Sequence, residues 1–135
     1  MLMEIPTIGD VAIMGEVEST NSIMKMKVNR GEVWMADLGY ENVKSSEQRG
    51  YRPVLIIQND IGNKFAPTVI VACITKQTKT VIPTHLECEL YESSTILFEQ
   101  LRTISKERLN KKIKTLTPEE MQEVDIKIKI SMGLL

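Results

Sequence analysis

From Met26 onward, apolar and polar positions alternate in short runs that predict strands, and the chain ends on a run with helical spacing. Gly31-Glu-Val-Trp-Met-Ala-Asp-Leu38 reads as a first strand ended by Gly39. A polar loop from Tyr40 to Tyr51 leads into a second, from about Pro53 to Gln58. Asn59-Asp-Ile-Gly-Asn63 carries a turn signal. Thr68–Thr75 is rich in β-branched residues and apolar on both faces, which predicts a central strand. Further strands are expected around Thr84–Leu90 and at Ser94–Phe98, the latter running on into polar Glu99-Gln100-Leu101-Arg102. Ser105–Arg108 reads as one helical turn, and Leu109–Leu116 as an edge strand guarded by three lysines.

The final element is a helix. Thr117 is its N-cap, Pro118 its first residue, and Glu120 completes a capping box. Met121, Val124 and Ile128 fall on one face, and Gly133 is the stop. The expected fold is mainly β with a C-terminal helix: a small curled antiparallel sheet or barrel, capped by that helix. Residues 1–25 lack a sustained period. They are expected to be a separate N-terminal extension, either loosely ordered or contributing an added strand from Val11–Met14, ahead of one domain at 26–135. Met14, Met24 and Met26 are alternative starts.

A chain of 135 residues with 42% apolar content suits one globular domain. No apolar run approaches the roughly 20 residues of a spanning helix, and no secretory signal is visible at the N-terminus. Cys73 lies in an apolar run and reads as a buried thiol. Two cysteines and one histidine do not supply a tetrahedral metal site, so no cofactor is expected. The compartment consistent with free thiols is the cytoplasm. Charge is uneven: Glu4, Asp10, Glu16 and Glu18 oppose only Lys25 in the first 25 residues, leaving 16 basic against 14 acidic side chains beyond. The mildly basic body permits RNA contact without demanding it.

The stretch Glu47-Gln-Arg-Gly-Tyr-Arg-Pro53 is the strongest candidate for chemistry. It runs straight into the apolar strand, and polar groups converging at a strand end are well placed to hold a phosphate. The Arg52 guanidinium is always charged, and its fork of donors matches phosphate oxygens. Pro53 biases Arg52 toward extended backbone and so partly fixes its direction.

Several phrases coincide with one family. Asn29–Leu38 is similar to the opening strand of the MazF/PemK toxin endoribonucleases, and Ser46-Glu-Gln48 followed by Arg52-Pro-Val54 resembles their active-site loop. Gln58–Asn63, Ile74-Thr75, Pro83-Thr-His85 and Leu97–Thr103 match in the expected order. The resemblance spans about residues 27–135 and lies closest to the MazF branch of Gram-positive bacteria. It implies a homodimer of SH3-like (CcdB/MazF-type) barrels. It implies an endoribonuclease that needs no metal, cuts single-stranded RNA at short motifs, leaves a 2′,3′-cyclic phosphate and a 5′-hydroxyl, and is neutralised by a cognate antitoxin.

With that resemblance, Arg52 is expected to grip the scissile phosphate and Thr75 to donate its hydroxyl to the same group. Glu47 is a candidate base, an orienter of Arg52, or a solvated loop charge. Ser46, Gln48, Lys76 and Gln77 are expected to contact RNA, since single strands are read through splayed bases and their edges. Tyr40 and Tyr51 are positioned either to stack on bases or to pack the loop base. Trp34 is expected in the core or at a dimer interface. His85 is read as structural despite being the sole histidine. Glu99, Gln100 and Arg102 are expected to form a polar network behind the site, or else to be ordinary edge-strand charges. Two other readings compete: a gyrase-poisoning toxin of the same fold, and a non-catalytic SH3-like module. The first relies on an aromatic helix end, and this chain ends Ser131-Met-Gly-Leu-Leu135. The second usually needs an aromatic groove, whereas aromatics are 4% here.

Overall fold

In the computed structural model the described residues are 26–39, 48–78 and 80–135. The expectations for residues 1–25 lie outside them, as do those for Tyr40, Ser46 and Glu47.

Six strands form a single antiparallel sheet that curls into a half-barrel. They are β1 (Glu32–Asp37), β2 (Tyr51–Ile56), β3 (Thr68–Lys76), β4 (His85–Glu89), β5 (Ser93–Ser105) and β6 (Leu109–Thr115). Their order is β4-β5-β3-β2-β1-β6, so β3 lies inside the sheet, as its β-branched, two-faced apolar pattern requires. β6 is an edge, and its exposed Lys111 and Lys112 guard it.

The two-residue period of the strands divides the core. Trp34, Ala36, Val54, Ile56, Val71 and Cys73 share one face. Val33, Leu55, Ala72, Ile74, Ile96 and Phe98 share the other. The second face is closed by α2 (Pro118–Ser131), which inserts the fully buried Val124 flanked by Met121 and Ile128. The capping box is formed: Glu120 N donates to Thr117 Oγ1 at 3.1 Å, and Thr117 N to Glu120 Oε1 at 2.8 Å. Gly133 takes φ +74°, the left-handed conformation that ends helices at little cost for glycine.

Two elements differ from the sequence expectation. Asn59–Asn63 is not a plain turn: it opens a short helix, α1 (Asp60–Phe65), because the Asn59 side chain accepts from Gly62 N at 2.8 Å and caps it. The same local bonding by Asn and Asp serves turns and helix starts alike. Secondly, β5 is one strand of 13 residues rather than a short strand with a polar tail. Its register against β3 jumps from Ala72–Leu101 to Cys73–Leu97, so Phe98, Glu99 and Gln100 bulge out of that pairing. A bulge bends its strand and raises local twist, which curls the sheet here. Lys106–Arg108 forms the expected single turn, capped by Ser105. No helix among the described residues is long and apolar enough to cross a membrane.

Candidate functional site

Strand register brings the first two candidates together. Val54 on β2 faces Cys73 on β3. Two residues further in each direction, Arg52 and Thr75 come level on the same face of the sheet. Arg52 Nη1 donates to Thr75 Oγ1 at 3.4 Å, a long bond that leaves the hydroxyl available to another partner. Arg52 Nε donates to the Arg49 carbonyl at 2.7 Å, which fixes the guanidinium plane. A guanidinium has five N–H donors, so these two bonds leave capacity for phosphate oxygens. Both residues are half-buried, stiffened by their strands yet reachable from solvent.

They open onto a pocket of about 420 Å³. The entry to β2 contributes Arg49, Gly50, Tyr51, Arg52 and Pro53; the end of β3 contributes Ile74, Thr75 and Lys76; the β4–β5 hairpin contributes Glu92 and Ser94. Three cationic side chains and one carboxylate therefore share the rim. Beneath it lies Cys73, fully buried. Burial pushes its thiol up to about 11, against the pull of the Arg102 and Arg52 charges. A thiol so protonated at neutral pH is no nucleophile.

The remaining sequence candidates divide. Lys76 lines the pocket, and exposed Gln77 follows it, its N–H donating to Ser93 O at 3.0 Å. Gln48 is half-buried, and its side-chain oxygen is buried with no hydrogen-bond partner among the described residues. Its backbone is gripped from β5: its N–H donates to Gln100 Oε1 at 2.8 Å, and its carbonyl accepts from Arg102 Nη1 at 3.1 Å. The same Nη1 lies 3.5 Å from the Leu38 carbonyl. Arg102 thus ties together the two ends of the loop that carries Ser46 and Glu47. Gln100 and Arg102 share the Gln48 backbone as a partner, as part of the expected polar network; Glu99 does not join them. It bonds His85 Nε2 at 3.0 Å and Thr84 Oγ1 at 2.9 Å. Burial tends to raise the Glu99 carboxyl, but these bonds hold it below the usual carboxylate range. His85 Nδ1 faces Thr80 O at 3.2 Å, and His85 does not line the pocket, in keeping with a structural role. Tyr51 is 51% exposed and donates to Asn110 Oδ1 at 3.1 Å. Trp34 is buried and donates to Glu32 Oε1 at 2.9 Å, which makes it a core residue of this chain.

Two features were not foreseen. Glu92 and Ser94 reach the pocket because β5 pairs with β3, placing Ser94 opposite Lys76. Thr95, opposite Thr75 and fully buried, accepts from Thr78 N at 3.3 Å and donates to Glu87 Oε1 at 3.0 Å. It pins the segment just after Lys76 and Gln77. Nothing in the local sequence marks these residues, since only long-range pairing brings them to the site.

The fold is shared with solved structures of low identity. An endoribonuclease in complex with its cognate antitoxin from a mycobacterial species superposes with a TM-score of 0.68 at 24% identity, covering 81% of this chain and 98% of that one. The Mycobacterium tuberculosis toxin MazF-mt6 gives 0.65 at 20% identity, with 77% and 98% coverage. MazF from Deinococcus radiodurans gives 0.66 at 18% identity, with 78% and 96% coverage. Residues 29–132 match the family model described as the PemK-like, MazF-like toxin of type II toxin–antitoxin systems. That match takes in β1 to α2 and the Arg52–Thr75 pair with it, and the chain belongs to this toxin family.

Proposed function

We propose that this toxin is a sequence-specific endoribonuclease that cuts single-stranded RNA without a metal ion. The observation that carries this reading is the approach of Arg52 Nη1 and Thr75 Oγ1, 3.4 Å apart at the mouth of a cationic pocket. In the reaction the RNA 2′-oxygen attacks the adjacent phosphorus as its proton is removed. The P–O5′ bond breaks, the 5′-oxygen takes a proton, and the products are a 2′,3′-cyclic phosphate and a 5′-hydroxyl. Charge builds on the non-bridging oxygens, and preorganised donors aimed there lower the barrier. Arg52 supplies charge and a fork of donors, and Thr75 supplies a hydroxyl from a rigid strand. Arginine surrenders its proton reluctantly, so the base is sought elsewhere, and Glu47, in the loop tethered by Arg102, takes that role or orients Arg52. Ser46, Gln48, Lys76 and Gln77 contact the flanking nucleotides. The toxin works as a homodimer in the cytoplasm, where its RNA is found, and a cognate antitoxin restrains it.

The test is cleavage of a defined RNA in excess EDTA. Wild-type protein cuts and Arg52→Ala does not. Intact RNA with the wild type, together with capture of gyrase, would favour the gyrase-directed reading instead.

A further inference from the structure

The pocket beside Arg52 and Thr75 contains a feature that phosphate binding does not explain. A site for a polyanion gains nothing from a carboxylate, yet Glu92 lines it. The β4–β5 hairpin carries four acids, and three are engaged internally: Glu99 bonds His85 and Thr84. Glu87 accepts from Thr95 Oγ1 at 3.0 Å, and Glu89 accepts from Ser93 Oγ at 3.1 Å. Among the described residues no hydrogen bond or ion pair engages the Glu92 carboxylate. Its backbone, by contrast, is fixed: the Glu92 carbonyl accepts from Leu90 N at 3.2 Å and from Ser94 Oγ at 3.0 Å. Gln77 N bonds Ser93 O, and Ser94 pairs with Lys76, which locks this turn against the end of β3. Glu92 therefore presents an uncommitted acceptor from a hydrogen-bonded turn on the wall of the pocket that Arg52 and Thr75 also line. The volume of about 420 Å³ is within the range of small-ligand sites and accommodates one nucleotide.

We propose that Glu92 is a specificity-determining residue: it selects a nucleobase bearing an exocyclic amine, next to the scissile phosphate, and disfavours uracil. This rests on the nuclease reading for its biological use but not for its test. An ionised carboxylate is acceptor-only. The N6 amine of adenine, the N4 amine of cytosine and the N1–H and N2 amine of guanine all donate to it. Uracil presents O2 and O4, which repel it, around a single N3–H. A well-placed pair of this kind discriminates about tenfold or more between bases.

The experiment has a binding arm and a cleavage arm. The first measures affinities of the wild-type protein for the 3′- and 5′-monophosphates of adenosine, cytidine, guanosine and uridine by titration. Wild-type protein is expected to bind at least one amino-bearing nucleotide about tenfold tighter than the uridine nucleotide. Glu92→Gln, whose amide both accepts and donates, erases that difference, and Glu92→Lys reverses it. Glu92 is exposed on a turn, so both variants are expected to fold. The second arm maps cut sites on a long RNA, where uracil enters the flanking position in both variants. Equal affinities in the wild type, absence of binding at millimolar nucleotide, a preference that survives both substitutions, or a uniform rise for all four bases overturns the proposal. A wild-type protein that discriminates between nucleotides but leaves RNA intact supports it and sinks the nuclease reading. A protein that cuts RNA with no Glu92-dependent preference does the reverse.

Discussion

Replacing Thr75 with valine isolates the contribution of one oxygen atom. The substitution keeps a β-branched side chain of nearly the same shape, so β3 retains its strand preference and its pairing with Thr95. Thr75 is half-buried, and among the described residues its hydroxyl makes only the 3.4 Å contact with Arg52. Losing so long a bond costs the folded state little, and stability should change by no more than about 1 kcal/mol. The transition state is another matter. If Thr75 Oγ1 donates to the phosphate as charge accumulates there, its loss removes one preorganised donor, worth about 3–4 kcal/mol, or about 100- to 1,000-fold in rate. The assay is single-turnover cleavage of a short RNA in EDTA, with thermal unfolding run in parallel. Thr75→Ser should recover most of the rate. A loss below about fivefold with valine, or an equal loss with serine, would refute the assignment of Thr75 to the reacting phosphate.

Two further outcomes follow from neighbouring contacts. Arg102→Met removes the 3.1 Å bond to Gln48 O and the 3.5 Å contact at Leu38 O. A charge-assisted bond of this kind contributes about 1.5–3 kcal/mol, so cleavage of RNA should fall by at least tenfold and proteolysis between Leu38 and Gln48 should quicken, both measured against wild type. Cys73 and Cys88 are each pushed up to about 11 by burial. A folded-state value raised above the unfolded one gives stability that is complete below about 9 and is lost as pH climbs towards 11. Denaturant titrations across that range should show the decline, amounting to about 2–3 kcal/mol for Cys73, and Cys73→Val should flatten its share.

Much of the fold was legible locally because local interactions decide it. The capping box at Thr117 and Glu120, the lysines of β6 and the β-branched run of β3 each carry their own physical reason. The α1 helix was not legible, because Asn59 and Asp60 bond their neighbours in turns and helix starts alike. The bulge in β5 was hidden for a different reason: it expresses the mismatch between β5 and two partners, not a preference of Phe98–Gln100. The site shows the same division. Arg52 before Pro53 and Thr75 at a strand end could be picked out as polar residues where strands stop. Their level position depends on the β2–β3 register, and the arrival of Glu92 depends on the β3–β5 pairing; neither is written in any short stretch of sequence.

Analysis of the RNA ends tests the central claim most directly. A defined single-stranded RNA is incubated with purified toxin in excess EDTA, and the ends of the fragments are probed by kinase labelling with and without prior phosphatase. The account predicts 5′-hydroxyl ends and 2′,3′-cyclic phosphates from the wild type, with no cleavage by Arg52→Ala. Fragments bearing 5′-phosphates, or an Arg52→Ala protein that cuts at the wild-type rate, would contradict it.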